Sequence, residues 1–375
     1  MERNPTLHVV CVAGARPNFP KLKPVIDALE SRGARVTLVH TGQHYDAMLS
    51  DVFFEELGIR EPDHSLEVGS ATHGAQTAAV MTAFEPLVAE LAPDVVLVVG
   101  DVNSTVACAL VGAKAGCLVA HVEAGLRSRD WAMPEEVNRV VVDRLSDYLF
   151  APSADACENL TAEGYRTDQI HLVGNVMIDT LVSNLDRARS RLPALRDQLA
   201  IAEDRFALAT LHRPSNVDDP AKLDQLMTVL ERISEQVPVL FPAHPRTAAQ
   251  LTERIATASG LHVVKPFGYL DFLALQSAAA LVITDSGGVQ EETTALGIPC
   301  LTVRENTERP ITITEGTNQL VGTDPAFILD AARTVLRDGV AARRPALWDG
   351  HAAERIVEVL LSGGRAPDRK RPTAL

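Results

Sequence analysis

The sequence predicts an α/β chain of two doubly wound domains, each a parallel sheet with helices on both faces. Three observations lead there. The chain has 375 residues, too many for one ordinary core. Short, valine-rich runs alternate with helix-length segments along its whole length. Reactive side chains follow those runs directly, at the strand ends where open α/β sheets bind ligands.

The elements follow in order. "LHVVCVAG" is a continuous apolar run of the kind buried on both faces. A helix begins near Pro20, with Leu22, Val25, Ile26 and Leu29 on one face and Gly33 as its stop. "ARVTLVHTG" is the next strand. "PDVVLVVGD" and "GCLVAHVEAG" come after it, joined by the helical "STVACALVGAKAG". "SDYLFAPS" and "IHLVGN" close the first half. In the second half the strands are "FALATLHR", "VPVLFPAHP", "LHVVKPFG", "ALVITDSGG" and "PCLTVREN". Between the first two, Leu223, Leu226, Met227, Leu230 and Ile233 form one apolar helix face. The halves meet around residues 174–200, where "SRLPALRDQLA" reads as a surface helix. The expected first domain is 1–175, rejoined by a C-terminal helix at about 352–375; the second is 176–351. The ligand site expected of two such domains is the cleft between them.

Composition narrows the function. A net charge of −14 argues against a general nucleic-acid binder, which needs a basic face. A small anion needs only a local basic pocket. The one basic run, "RAPDRKRPTAL", reads as a solvated end. Five cysteines without a C-x-x-C pair read as free thiols in a reducing compartment, so a cytoplasmic location is expected. No secretory leader and no membrane span are expected either.

The strand ends carry the candidate chemistry. In "TDSGGVQEETTALG", Ser286, Gly287 and Gly288 stand where a strand turns into a helix. They form either a plain tight turn or an anion site on free helix N–H groups, with Glu292 placed for ribose hydroxyls. There is no G-x-G-x-x-G after the first strand and no G-K-[ST], so neither a dinucleotide fingerprint nor a P-loop is present. "GARPNFPK" offers Arg16 and Lys21, and "NTERP" offers Arg309, as cations for an anion or as surface charges. Asp101 ends a strand and could cap the next helix, although Asn103, Ser104 or Thr105 could do that instead. Glu123 shares a strand face with His121, so a carboxylate–histidine pair competes with a reactive role. Glu135 follows Pro134 and could simply offset a helix dipole. His212 ends a strand beside Arg213. His40 and His44 flank a strand end rather than share a helix face, so no metal pair is expected.

The ordered set "GARPNFPKLKP", "TGQH", "GDVNST", "HVEAGLRS…PEEVNR", "LHRPSN", "DSGGVQEE" and "RENTERP" resembles the non-hydrolysing UDP-N-acetylglucosamine 2-epimerases, over roughly residues 7–360. That family has the GT-B architecture of two Rossmann-like domains. The resemblance implies interconversion of UDP-N-acetylglucosamine and UDP-N-acetylmannosamine. The C2 proton is removed and UDP leaves from C1, giving bound 2-acetamidoglucal; protonation of the other face and re-addition of UDP complete the inversion. It implies Asp101, Glu123 and Glu135 as acid/base carboxylates and His212 near the leaving diphosphate. It implies Arg16, Lys21, Phe272, Ser286, Gly287, Gly288, Glu292 and Arg309 as UDP-binding or orienting residues. It also implies no metal, no other cofactor, and a homodimer. The chain departs from the pattern at Asn18, Asp46, Phe267 and "HRPS". Rivals are a hydrolysing 2-epimerase and, from a different class, a GT-B glycosyltransferase. "DSGGVQEE" and "PEEVNR" favour the non-hydrolysing branch.

Overall fold

The protein is described here from a computed structural model, which covers residues 6–15, 17–42, 56–201, 205–251 and 260–363. The chain divides into two compact units: Met1–Thr180 with Ala346–Leu375, and Leu181–Pro345. Among the described residues no helix is long and apolar enough to cross a membrane.

The first unit is built on a seven-stranded parallel sheet. Its strands are β1 (His8–Ala13), β2 (Arg35–His40), β3 (His64–Ser65), β4 (Val95–Val99), β5 (Leu118–Val122), β6 (Tyr148–Ala151) and β7 (Ile170–Leu172). Their order is β3-β2-β1-β4-β5-β6-β7. Every residue of β1, β4 and β5 is buried, which is why these stretches read as unbroken apolar runs. Val10, Val12, Val96, Val98 and Val119 pack one face against Val80, Phe84 and Val88 of the helix His73–Leu91 and Ala107, Cys108 and Val111 of the helix Asn103–Lys114. β3 is a two-residue polar edge strand with no apolar signal to mark it.

The end of the chain completes this unit. Trp348 is buried and its indole N–H donates to the Pro152 carbonyl at 2.9 Å. The helix Ala352–Ser362 has no cap of its own, and the buried Asp179 carboxylate accepts from Ala352 N at 3.1 Å and Ala353 N at 2.7 Å. A side chain 173 positions upstream thus does what an N-cap residue ordinarily does.

The second unit repeats the winding. Its strands are β8 (Ala207–Thr210), β9 (Val239–Pro242), β10 (Leu261–Val264), β11 (Leu281–Thr284), β12 (Cys300–Thr302) and β13 (Asn318–Leu320), in the order β10-β9-β8-β11-β12-β13. All pairings are parallel. Asp219 and Asp324 cap the helices Pro220–Ser234 and Pro325–Asp338, each with proline at the first helical position. The segment read as a surface helix at 190–200 is the end of one longer helix, Val176–Gln198, which runs through Pro193. Ala188 and Leu195 are buried in the second unit's core, so that face is not surface. In each unit the strand order reverses beside the first strand, between β1 and β4 and between β8 and β11. The reactive groups gather at these two points.

Candidate active site

In the first unit, the loops after β1, β4 and β5 carry the candidates. Asn18 opens the helix Asn18–Ser31 and its Oδ1 accepts from Gly14 N at 3.0 Å and Ala15 N at 2.8 Å. Its amide donates to the Val99 carbonyl, tying the first loop to the end of β4. One turn on, Lys21 Nζ donates to Glu123 Oε2 at 2.6 Å. Glu123 is 5% exposed and follows β5 with φ of +71°, a conformation that costs a non-glycine residue roughly 1–2 kcal/mol. Its other oxygen, Oε1, is buried with no partner among the described residues. Gly100 lies opposite with φ of +70°; a Cβ there would stand 3.6 Å from Glu123 Oε2.

The expected alternative of a His121–Glu123 pair is wrong. His121 Nδ1 sits 2.6 Å from Asp143 Oδ1, and Nε2 sits 2.9 Å from the Gly100 carbonyl. Asp143 also accepts from Gly125 N and pairs with Arg127. This buried cluster fixes the ends of β4 and β5 from beneath and leaves Glu123 to Lys21.

Asp101 is not a cap, and neither are the residues that might have replaced it. The helix Asn103–Lys114 has no side-chain cap. Asn103 bonds Gln76 and Asn138, Ser104 bonds Thr41, and Thr105 donates to the Val99 carbonyl. Asp101 instead pairs through Oδ2 with Arg139 Nη2, while its carbonyl accepts from Asn138. Arg139 is buried, and its Nη1 lies 2.5 Å from Glu136 Oε2. Glu136 further accepts from Ser128 N, Ser128 Oγ and Arg129 N, each at 2.9 Å. Burial alone would raise its pKa; those backbone donors and Arg139 outweigh it and hold the carboxyl below the ordinary value. Glu135 is half-exposed in the first turn of the same helix, Pro134–Leu145, four residues before Arg139 and so on its face.

In the second unit the hub is Asp285, fully buried at the end of β11. It accepts from His212 N, Arg213 N and Asn216 Nδ2 at 3.0–3.1 Å, and His212 Nδ1 lies 3.1 Å from its Oδ1. Burial pushes its pKa up, and the hydrogen bonds from His212, Arg213 and Asn216 outweigh that and hold it down. The His212 side chain stays 59% exposed, so it is anchored on one side and open on the other.

Ser286 is the N-cap residue of the helix Gly287–Leu296 but makes no side-chain cap, so the helix start lacks its usual intramolecular acceptor. A Cβ on Gly288 would meet nothing within 4 Å, whereas one on Gly287 would stand 3.2 Å from Glu308 Oε1. The two glutamates of this helix do not face solvent as dipole-offsetting charges would. Glu291 Oε1 accepts from Arg309 Nε at 2.6 Å. Glu292 lies under Tyr269, whose hydroxyl donates at 3.3 Å, and burial lifts its pKa to about 7. Arg309 reaches the loop already balanced by Glu291 and Glu308. Phe272 sits one turn after Tyr269 on the helix Tyr269–Ala278, half-buried against the core. Arg16, Gln43, His44 and Asp46 lie outside the described residues.

The family described as UDP-N-acetylglucosamine 2-epimerase matches residues 27–361. The chain belongs to that family. The UDP-N-acetylglucosamine 2-epimerase of Methanocaldococcus jannaschii is 41% identical over 361 residues, spanning 94% of this chain and 98% of its own. The UDP-2,3-diacetamido-2,3-dideoxy-D-glucuronate 2-epimerase of Pseudomonas aeruginosa is 40% identical, spanning 94% and 99%. The crystal structure of the M. jannaschii enzyme with UDP-N-acetylglucosamine and UDP superposes with a TM-score of 0.85 at 39% identity, covering 95% of this chain and 100% of that one. The fold class is therefore GT-B, with two parallel-sheet Rossmann-like units.

Within this epimerase, two residues of the site escaped the sequence reading. Arg139 stands inside the quoted "PEEVNR", but nothing in its spacing announced a bond to Asp101, 38 positions away. Asp285 opens "DSGG", and its role as anchor for His212 depends on β8 and β11 being neighbours. The Lys21–Glu123 pair likewise joins residues 102 apart. The signal available for all three was only that a charge follows a buried strand or sits one turn into a helix.

Proposed function

We propose that this epimerase interconverts UDP-N-acetylglucosamine and UDP-N-acetylmannosamine by eliminating UDP and adding it back across the C1–C2 bond. The observation that carries the proposal is Glu123, a desolvated carboxylate with one oxygen on Lys21 and the other without a partner among the described residues. A weakly acidic C2 hydrogen needs such a positioned base while the C1–O bond breaks. Inversion needs proton traffic on both faces of C2, and Asp101, held by Arg139, and Glu135 supply the further carboxylates. UDP falls to the second unit. Its growing charge is met by the uncapped helix start at Gly287 and Gly288, by His212 on Asp285, and by Arg309. Glu292 then takes the ribose hydroxyls, with Ser286 and Phe272 completing the nucleotide site. Arg16 joins the diphosphate contacts in this reading. The reaction requires no metal or nicotinamide.

The P. aeruginosa relative, named for a diacetamido glucuronate sugar, supports a second substrate reading on the same chemistry. One experiment separates the readings. In D₂O, with UDP-N-acetylglucosamine, proton NMR is expected to show deuterium at C2 and a UDP-N-acetylmannosamine signal without early free sugar. Free N-acetylmannosamine from the start would identify the hydrolysing reaction instead. Silence with this substrate, but exchange with the diacetamido glucuronate nucleotide, would move the assignment to that sugar. We place the enzyme in the cytoplasm, where its five free cysteines stay reduced, and as a homodimer. Light scattering should therefore give about twice the 40.3 kDa chain mass, and a monomer mass at working concentration would refute the dimer.

A further inference from the structure

A second concave site opens on the first unit, and no role in the proposed reaction uses it. The pocket holds about 530 Å³, inside the roughly 300–1,000 Å³ range of small-molecule sites. Arg127, Arg129, Trp131, Arg144 and Tyr165 line it, with the carboxylates of Glu136 and Glu163 on its walls. Three of its charges, Arg127, Glu163 and Glu136, are spent. Arg127 pairs with Glu163 and Asp143, and Glu136 pairs with Arg139. Arg129 and Arg144 are different: both are exposed, and neither has a carboxylate partner among the described residues. Arg129 is steered by Asn159 Oδ1 at 2.8 Å, and the Arg144 guanidinium lies 5.4 Å over the Tyr165 ring. Each guanidinium is thus oriented without being neutralised.

Two further observations point the same way. Trp131 leaves 66% of its surface in water, an unusual exposure for so large an apolar side chain. Arg129 has φ of +60°, and its backbone N–H is held by Glu136 Oε1. The loop therefore keeps a strained backbone that presents Arg129 and Trp131 to one cavity. An indole face beside two guanidiniums suits a flat ring carrying a phosphate, since indole stacks the ring and arginine takes phosphate oxygens in pairs.

We propose that this pocket binds a small planar anion of the nucleoside monophosphate class. The chain's two tryptophans make the test direct, because Trp348 is buried and Trp131 lines the pocket. Titration with AMP should give saturable quenching of the solvent-exposed tryptophan emission, and Trp131→Phe should remove that signal. The double variant Arg129→Gln/Arg144→Gln should weaken AMP roughly tenfold or more while keeping the parent's unfolding midpoint. Should the double variant not fold, Arg144→Gln alone carries the comparison, since it leaves the Arg129–Asn159 bond in place. No saturable quenching at millimolar AMP, or an unchanged titration in the folded variant, would overturn the proposal.

Discussion

Glu123 combines three features that are each costly alone: a left-handed backbone, a buried carboxylate, and an oxygen without a bonded neighbour among the described residues. Lys21 offsets the buried charge but not the open oxygen. Glu123→Gln keeps the size and removes the base. C2 hydrogen exchange should fall by roughly 10²–10⁴-fold, with UDP affinity little changed. A variant that turned over like its parent would remove Glu123 from the reaction. At this scale the sequence was informative about position and poor about partners. Valine runs located Asp101 and Glu123 at strand ends. They could not say that His121 would choose Asp143, because that depends on the helix Pro134–Leu145 lying beside β5.

At the scale of elements, the segment after β12 is held by charge. Glu308 lies among Arg304 at 2.8 Å, Arg309 at 3.3 Å and Arg213 at 3.7 Å. Burial alone would raise its pKa, but the arginines bring it down from 4.5 to about 2. A carboxyl depressed on folding contributes stability that is fully present above its ordinary value and lost as pH falls through the folded one. Glu308→Gln should therefore cost roughly 3 kcal/mol near neutral pH, and the gap from the parent should close as pH falls from 4.5 toward about 2. Chemical denaturation across that range reads it; a pH-independent gap would mean that packing, not charge, holds the segment. The elements themselves were largely legible, because buried parallel strands announce themselves as apolar runs. β3 and β13 were not: "HS" and "NQL" are short and polar, and join their sheets through backbone pairing alone.

For the whole molecule, the informative fact is that the first unit is made from two separated stretches of chain. Trp348 and the helix Ala352–Ser362 are anchored on Pro152 and Asp179. A chain stopped after Pro345 would leave Asp179 buried with its acceptors unused and the space of Trp348 empty, each a large loss. Limited proteolysis of that truncation should cut within 6–180 while 205–345 stays protected as in the parent. Equal protection of both regions would contradict this. The apolar pattern of the last helix suited packing on either domain, and its cap left no local signal, because the capping residue belongs to a distant segment.

That discontinuity orders events on the ribosome. The first unit emerges first, yet its last helix is translated only after the whole second unit, roughly ten to thirty seconds later at ordinary elongation rates. Through that interval the nascent Asp179 and the Pro152 carbonyl wait without their partners. The unit that carries the carboxylates is thus begun first and finished last, and a stalled or nicked chain lacks the piece that would close it.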